Sequence, residues 1–236
     1  MAVPELPDDP ALYARTLLAA GYFEAVAFSD EDRKRAGFYQ NHAERVALAG
    51  KSDGLDSYIA SLPMELSLAP FDATGRQRIA QLVNKSNQFN LTTHRYSEAE
   101  IAALEGDPHV YTLQARLTDM FGDNGMICVV IAKLDGTDRS DWIIDTWLMS
   151  CRVLGRRVEE AVLRDLVFAA RARGIHRLVG LYRPTGRNAL VRDHYAKLGF
   201  EQAGSDPDGT TRWTLDARRE LPGMPPMKIR HMSRHG

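Results

Sequence analysis

The sequence predicts an α+β fold: a mixed sheet flanked by helices and preceded by a small helical region. Three observations carry that prediction. Two helical patterns, over Asp72–Gln88 and after Ser97, precede any clear strand. Three strand patterns with short connections follow, and short connections join antiparallel neighbours. An amphipathic helix and a further strand then require one parallel crossover, because a strand–helix–strand unit returns its second strand parallel to the first.

The totals allow this plan. The chain has 236 residues, 44% hydrophobic and 26% charged, enough for one large domain or one domain with a smaller helical piece. A net charge of −1 does not favour nucleic acid as a partner. Two cysteines, Cys128 and Cys151, make no disulfide framework, and the start MAVPELPDDP is acidic and proline-rich rather than a signal peptide. No apolar run approaches the ~20 residues of a membrane span. A reducing cytoplasm is the expected compartment, and no metal site is expected.

Taken in order, the first element is a helix from Pro10 to about Gly21, with Asp9 as N-cap and Gly21 as stop. A charged helix over Asp30–Ala49 and a short one over Leu55–Leu62 follow. These have little to bury by themselves and need a surface to lean on. The pattern changes at Pro70. In Asp72–Gln88 the residues Ile79, Leu82 and Val83 share a face, and Ser97 with Glu100 makes a capping-box pattern. Val110–Leu117 alternates, with Tyr111, Leu113, Ala115 and Leu117 on one face. Asp123-Asn124-Gly125 reads as a turn, Met126–Lys133 as an apolar strand, Asp135–Asp141 as a charged loop and Trp142–Met149 as the third strand. Arg156–Arg173 carries Val158, Ala161, Val162, Leu166, Ala169 and Ala170 at helical spacing, stopped by Gly174. Leu178–Tyr182 reads as a strand, Asn188–Leu198 as a helix stopped by Gly199, and Phe200 and Thr211–Leu215 as the last strand candidates. The expected domains are a helical region over 1–70, the α+β domain over 71–220 and a flexible tail over 221–236.

Three stretches resemble a known family. Asn84 to Thr93, NKSNQFNLTT, resembles a signature of FkbH-like proteins, which carry arginine where this chain has His94. The second stretch is Asp145 to Arg156, DTWLMSCRVLGR. The third is Asn188 to Phe200, NALVRDHYAKLGF, whose asparagine, tyrosine and LGF are also the general ending of GCN5-related N-acetyltransferase (GNAT) domains. The first two stretches are specific; the third alone says only GNAT-like. The resemblance covers most of the chain. It implies a GNAT superfold over about Phe71–Asp216, similar to the C-terminal acyltransferase half of FkbH-like proteins, which load glyceryl units for polyketide assembly. VPELPDDPALYARTLLAAGYFE is similar to the segment that follows the phosphatase half of full-length members. That haloacid-dehalogenase-type half needs a DxDxT motif, absent here, so the chain is expected to lack the phosphatase and its activity.

The resemblance assigns roles to residues. In GNAT domains the loop before the long helix holds the pyrophosphate of coenzyme A on its amides. Arg152, Val153, Leu154, Gly155 and Arg156 stand in that loop, and Arg157 occupies a position that usually holds a small residue. Its side chain either obstructs the backbone or binds the single phosphate of a carrier's phosphopantetheine arm; alternatively Arg156 and Arg157 simply solvate a helix start. Cys151, placed just before that helix and beside Arg152, is favoured as a thiolate and as the nucleophile of an acyl relay. Cys128, within ICVVIA, reads as a small buried hydrophobe. Tyr195 matches the GNAT tyrosine that often protonates a leaving thiolate, or packs under a loop. His194 on a helix would point about 100° away from it, as much a surface residue as a base. Asn188 is expected to cap its helix and to touch the pantetheine arm.

Asn84, Asn87, Asn90, Thr92, Thr93 and Arg95 form a polar cluster at a helix end. They either form a network that orders a loop over an acyl pocket, where a small hydroxylated acyl group would need such donors and acceptors, or build an elaborate C-cap. Asp145 and Trp147 lie on the strand leading to Cys151; Asp145 orients the thiol or a substrate hydroxyl, or pairs with an arginine. Arg152, Arg156, Arg157, Arg164, Arg171 and Arg173 would steer an acidic carrier or solvate a helix face. The expected activity is transfer of a small glyceryl-type acyl group to an acyl carrier protein. Phosphopantetheine or coenzyme A is the thioester partner, and a separate phosphatase domain processes the donor. The alternatives are an acetyl-CoA-dependent N-acetyltransferase and a non-catalytic module that docks a carrier.

Overall fold

A computed structural model describes Asp9 and residues 62–135 and 140–232. The chain divides after Lys51 into two units, and every described residue but Asp9 belongs to the second. The helices expected over Pro10–Gly21, Asp30–Ala49 and Leu55–Leu62 lie outside the described residues, Leu62 excepted.

The elements run β1 (Glu65–Ala69), α1 (Arg76–Lys85), α2 (Glu98–Gly106), β2 (Val110–Asp119), β3 (Gly122–Leu134) and β4 (Asp141–Met149). They continue with α3 (Val158–Ala172), β5 (Arg177–Tyr182), α4 (His194–Lys197), β6 (Glu201–Ser205), β7 (Thr211–Asp216) and β8 (Lys228–His231). The strands make one mixed sheet in the order β6-β7-β5-β4-β3-β2-β1-β8. β2, β3 and β4 pair antiparallel, as the expected meander, and β4 pairs with β5 in parallel across α3. This is the α+β plan read from the sequence. Among the described residues no helix is long and apolar enough to cross a membrane.

Helices cover both faces of the sheet. On one face α1 and α2 bury Ile79, Val83 and Ile101 against Met126, Val129, Ile131 and Leu148. Ser97 caps α2 with the reciprocal Glu100 bond that its sequence predicted. On the other face α3 buries Val158, Ala161, Val162, Leu166 and Ala170, the spacing predicted for it, while Ala169 is only half-buried. The Tyr111 hydroxyl donates to Asp165 of α3 at 2.5 Å, and the Arg173 guanidinium lies over the Tyr111 and Trp142 rings. Coverage on both sides explains why β2 does not keep its alternation. Thr112 and Gln114 are as buried as Tyr111, one accepting from Phe71 N and the other donating to Pro70 O.

Four expectations need correction. The chain turns at Met120-Phe121, so Asp123-Asn124-Gly125 lies inside β3. Asp119 sets that turn, accepting from Phe121 N, Asn124 Nδ2 and Arg156 Nη1. The boundary at Phe71 falls inside the sheet, because Glu65–Ala69 is β1. The tail contributes β8, which pairs in parallel with β1 and closes an otherwise open edge with basic residues. Asn188–Leu198 is not one helix: Ala189–Val191 forms a 3-10 turn and α4 spans only four residues.

Candidate active site

The site begins with a fork. β4 and β5 pair only from Asp141↔Arg177 to Ile144↔Gly180, although both strands continue. The backbone groups left over need partners, and the chain supplies them itself. Phe89–Leu91 runs antiparallel to β4, with an Asn90↔Leu148 bridge. Leu91 N donates to Trp147 O at 3.1 Å and Met149 N donates to Phe89 O at 3.1 Å. From the other prong Arg183 N donates to Leu91 O at 2.9 Å. Asn188, fully buried, donates to Asn90 O at 3.0 Å and to Arg183 O at 2.9 Å, and accepts from Thr185 N. It therefore ties the fork shut rather than capping a helix.

Asp145 stands at the fork's apex. Ile131 pairs with Thr146 and Ala132 with Ile144, so Asp145 is the extra residue of a β-bulge, a device that re-aims a side chain. It turns toward the α1–α2 face. There it accepts from the Tyr96 hydroxyl at 2.5 Å, Lys133 Nζ at 3.1 Å and the Thr146 hydroxyl at 3.0 Å, and His94 Nδ1 lies 3.2 Å away. Burial pushes the carboxyl up, but the Tyr96 hydroxyl and the Lys133 charge outweigh it and hold Asp145 below the usual carboxylate range. Burial and the Asp145 carboxylate keep Tyr96 protonated. His94 is stacked on the Tyr96 ring, centroids 4.7 Å apart. The sequence pointed to Asp145 but missed its partners Tyr96, Lys133 and His94. His94 and Tyr96 sit at i and i+2, one side of an extended segment, but Asp145 is 51 residues from His94.

The opposite side of the fork is aromatic. Trp147 and Tyr195 are fully buried. His194 points inward, 7% exposed, with its ring 4.6 Å from Trp147 and 5.2 Å from Phe89. His194 and Tyr195 both face inward, because the four-residue α4 is not the regular helix on which adjacent side chains diverge by about 100°. Trp147 Nε1, His194 Nε2 and Tyr195 Oη have no hydrogen-bond partner among the described residues. The Leu181 backbone favours the ionised Tyr195 weakly, without a hydrogen bond of proper geometry. Burial dominates and holds the phenol protonated well above the ordinary tyrosine range. Tyr195 is therefore a hydrogen-bond donor rather than a source of protons at neutral pH.

The Asn–Thr cluster holds the loop. Asn84 donates to Ala80 O and Tyr96 O, and Asn90 donates to Ser86 O while accepting from Thr93 N. Thr92 donates to Asp145 O at 2.7 Å, and Arg95 bonds Val83 O and Asn87 Oδ1. Together these bonds order the segment from Asn84 to Arg95.

Cys151 is exposed and begins a 3-10 turn, Cys151–Val153, so α3 starts seven residues later, at Val158. Four residues of strand, roughly 13 Å, separate Asp145 from Met149. Asp145 therefore does not orient the Cys151 thiol. Within the expected anion loop, Val153 N, Leu154 N and Arg156 N already donate to Ser150, Cys151 and Val153 carbonyls. Arg156 is buried in an ion pair with Asp119, and Arg157 pairs with Glu160. Both Gly155, φ 75°, and Arg157, φ 60°, are left-handed. Further along, Arg164 donates to Pro222 O and Arg171 to Ala217 O and Arg219 O, so the chain's own C-terminal segment engages much of the expected basic face.

No family model and no curated protein matches this sequence. Solved structures do. The GNAT domain of S. lividans PAT superposes with a TM-score of 0.51 at 19% identity, covering 63% of this chain and 89% of that chain. Aminoglycoside acetyltransferase AAC(6')-Ib in complex with coenzyme A gives 0.48 at 19% identity, covering 65% and 95%. The ribosomal-protein-S18-alanine N-acetyltransferase from Escherichia coli gives 0.46 at 17%, covering 67% and 96%. The first likeness establishes the fold: this is a GNAT fold, with the α+β mixed sheet that the sequence predicted.

Proposed function

We propose that the chain is an acyltransferase that moves a small acyl group from a thioester to a second nucleophile at the fork between β4 and β5. The observation that carries this reading is the fork itself. An ionised carboxylate with an oriented imidazole stands on one side of it. A protonated phenol and unmatched buried polar groups stand on the other. The two sides of the fork supply a proton acceptor and hydrogen-bond donors, which is what thioester exchange needs.

The finer assignment rests on the sequence resemblance. The stretches Asn84–Thr93 and Asp145–Arg156 support a glyceryl-type acyl group and a carrier-borne phosphopantetheine thiol as acceptor, with coenzyme A as the alternative thioester partner. The exposure of Cys151 favours a second route for the same transfer. In that route the Cys151 sulfur first attacks the donor carbonyl, the donor thiol leaves with the proton, and the acceptor thiol then takes the acyl group from Cys151. Intact-protein mass spectrometry with acetyl and glyceryl thioesters of pantetheine tests both. Transfer to a carrier thiol is expected; no transfer from any of these donors rejects the reading. An adduct on Cys151 that hydroxylamine removes selects the relay, and transfer without an adduct selects the direct route.

A further inference from the structure

His94 is the residue at which the chain departs from the arginine of the proteins it resembles, and the surrounding structure holds it in place. Thr92 is tied to Asp145 O, and Asn90 Oδ1 accepts from Thr93 N. Thr93 adopts a left-handed φ of 55°, unusual for a β-branched residue, which fixes the turn into His94. The ring is then stacked on Tyr96 with its planes 29° apart. A carboxylate only accepts hydrogen bonds, so the Nδ1 beside Asp145 carries the hydrogen and the neutral ring keeps its lone pair on Nε2. The side chain is 53% exposed, open to a second substrate, while Asp145 beneath it is 16% exposed. The other groups around it are committed. Lys133 bonds Asp145 and Tyr96, Tyr96 donates to Asp145, and Glu100 of α2 bonds Ser97.

We propose that His94, oriented by Asp145, is the general base of the acyl transfer and acts on the acceptor thiol. This rests on the direct route of the reading above. Nε2 takes the thiol proton as the acceptor sulfur attacks the thioester carbonyl, forming the new C–S bond. The tetrahedral intermediate collapses with cleavage of the donor C–S bond, and the departing thiolate receives the proton from Nε2. Acyl group, proton and electron pairs balance with no further reactant. Asp145 is a positioning residue here: it fixes the tautomer and stabilises the imidazolium that forms.

The test uses the full chain, acetyl-pantetheine as donor and N-acetylcysteamine as acceptor, over a range of pH. His94→Gln is expected to lower the transfer rate by about 100-fold or more. Its affinity for a thioether analogue of the donor should be unchanged, and the ascending limb of the rate–pH profile should disappear. Free imidazole is expected to restore much of the rate to His94→Gly, a rescue that a purely structural role would not show. Retention of the wild-type rate and profile by His94→Gln, or absence of imidazole rescue, overturns the assignment. A wild-type chain that transfers nothing from this donor or from glyceryl-pantetheine instead rejects the acyltransferase reading, which separates the two failures.

Discussion

Asp145 and Trp147 lie two residues apart on β4, a spacing that puts side chains on the same face of a regular strand. The bulge at Asp145 sends them to different sides of the fork. Asp145 enters a polar group in which its carboxylate is bonded by Tyr96, Lys133 and Thr146, and which opens to solvent through His94. Trp147 enters a buried group of rings, with His194 and Tyr195, in which three polar atoms have no protein partner among the described residues. The difference divides the chemistry. In the proposed reaction, proton transfer falls to the ionised, reachable side, and the buried aromatic side contributes shape and hydrogen-bond donors.

The largest expected effect tests dryness. Burial pushes the His194 ring down to about 3 from its ordinary 6.5. Between those values the unfolded chain binds a proton that the folded chain does not, so stability falls as pH drops through the window and is fully present above it. The slope approaches about 1.4 kcal/mol per pH unit, or about 3 kcal/mol over two units. Urea titrations should show His194→Phe gaining on the wild type by that amount as pH falls from neutral. A pH-independent difference would mean that the ring is hydrated.

Next comes a comparison of the two thiols. Cys128 is completely buried beside the aromatic side, and burial raises its thiol, whereas Cys151 is exposed. Iodoacetamide at neutral pH should alkylate Cys151 about 100-fold faster or more, near 2.7 kcal/mol in barrier. Comparable rates would show that the aromatic side opens readily. Cys151→Ala distinguishes the relay from direct transfer, since wild-type rates in that variant eliminate the relay.

A smaller effect is expected at Gly180, where a Cβ would overlap the Tyr195 ring. Gly180→Ala must displace that ring, and overpacking of this kind costs about 1–3 kcal/mol. Transfer should fall along with thermal stability. An unchanged rate in a destabilised variant would remove Tyr195 from the chemistry.

These contrasts also show what the sequence could reveal. Local patterns survived well: the capping box at Ser97, the apolar stripe of α3 and the strand runs of β3 and β4 are set by neighbours a few residues away. The short edge strands did not. β8 has four residues and no apolar alternation, because pairing with β1 alone orders it. At the site, Asp145, Trp147 and Tyr195 were visible as chemical types, but their division across a fork was not. One bulge decides which way Asp145 faces, and the pairings of Asn90 with Leu148 and of Asn188 with Asn90 join distant stretches.

The smallest expected effect lies just beyond the open end of β4, at Arg157. The resemblance places a small residue there, and the backbone supplies a reason: Arg157 has φ 60° and ψ 23°, a left-handed conformation that glycine adopts without penalty. For any other residue but asparagine or aspartate the cost is about 1–2 kcal/mol. Against it stands the Arg157–Glu160 ion pair, roughly one-third exposed at both ends, a surface pair worth about 0.3–0.5 kcal/mol. Strain therefore outweighs the pair, and Arg157→Gly should stabilise the chain by about 1 kcal/mol despite losing it. Arg157→Ala loses the pair and keeps the strain, so it should be slightly less stable than the wild type. Chemical denaturation of the two variants at equal pH separates the contributions. If glycine and alanine destabilise alike, the guanidinium rather than the backbone governs this turn.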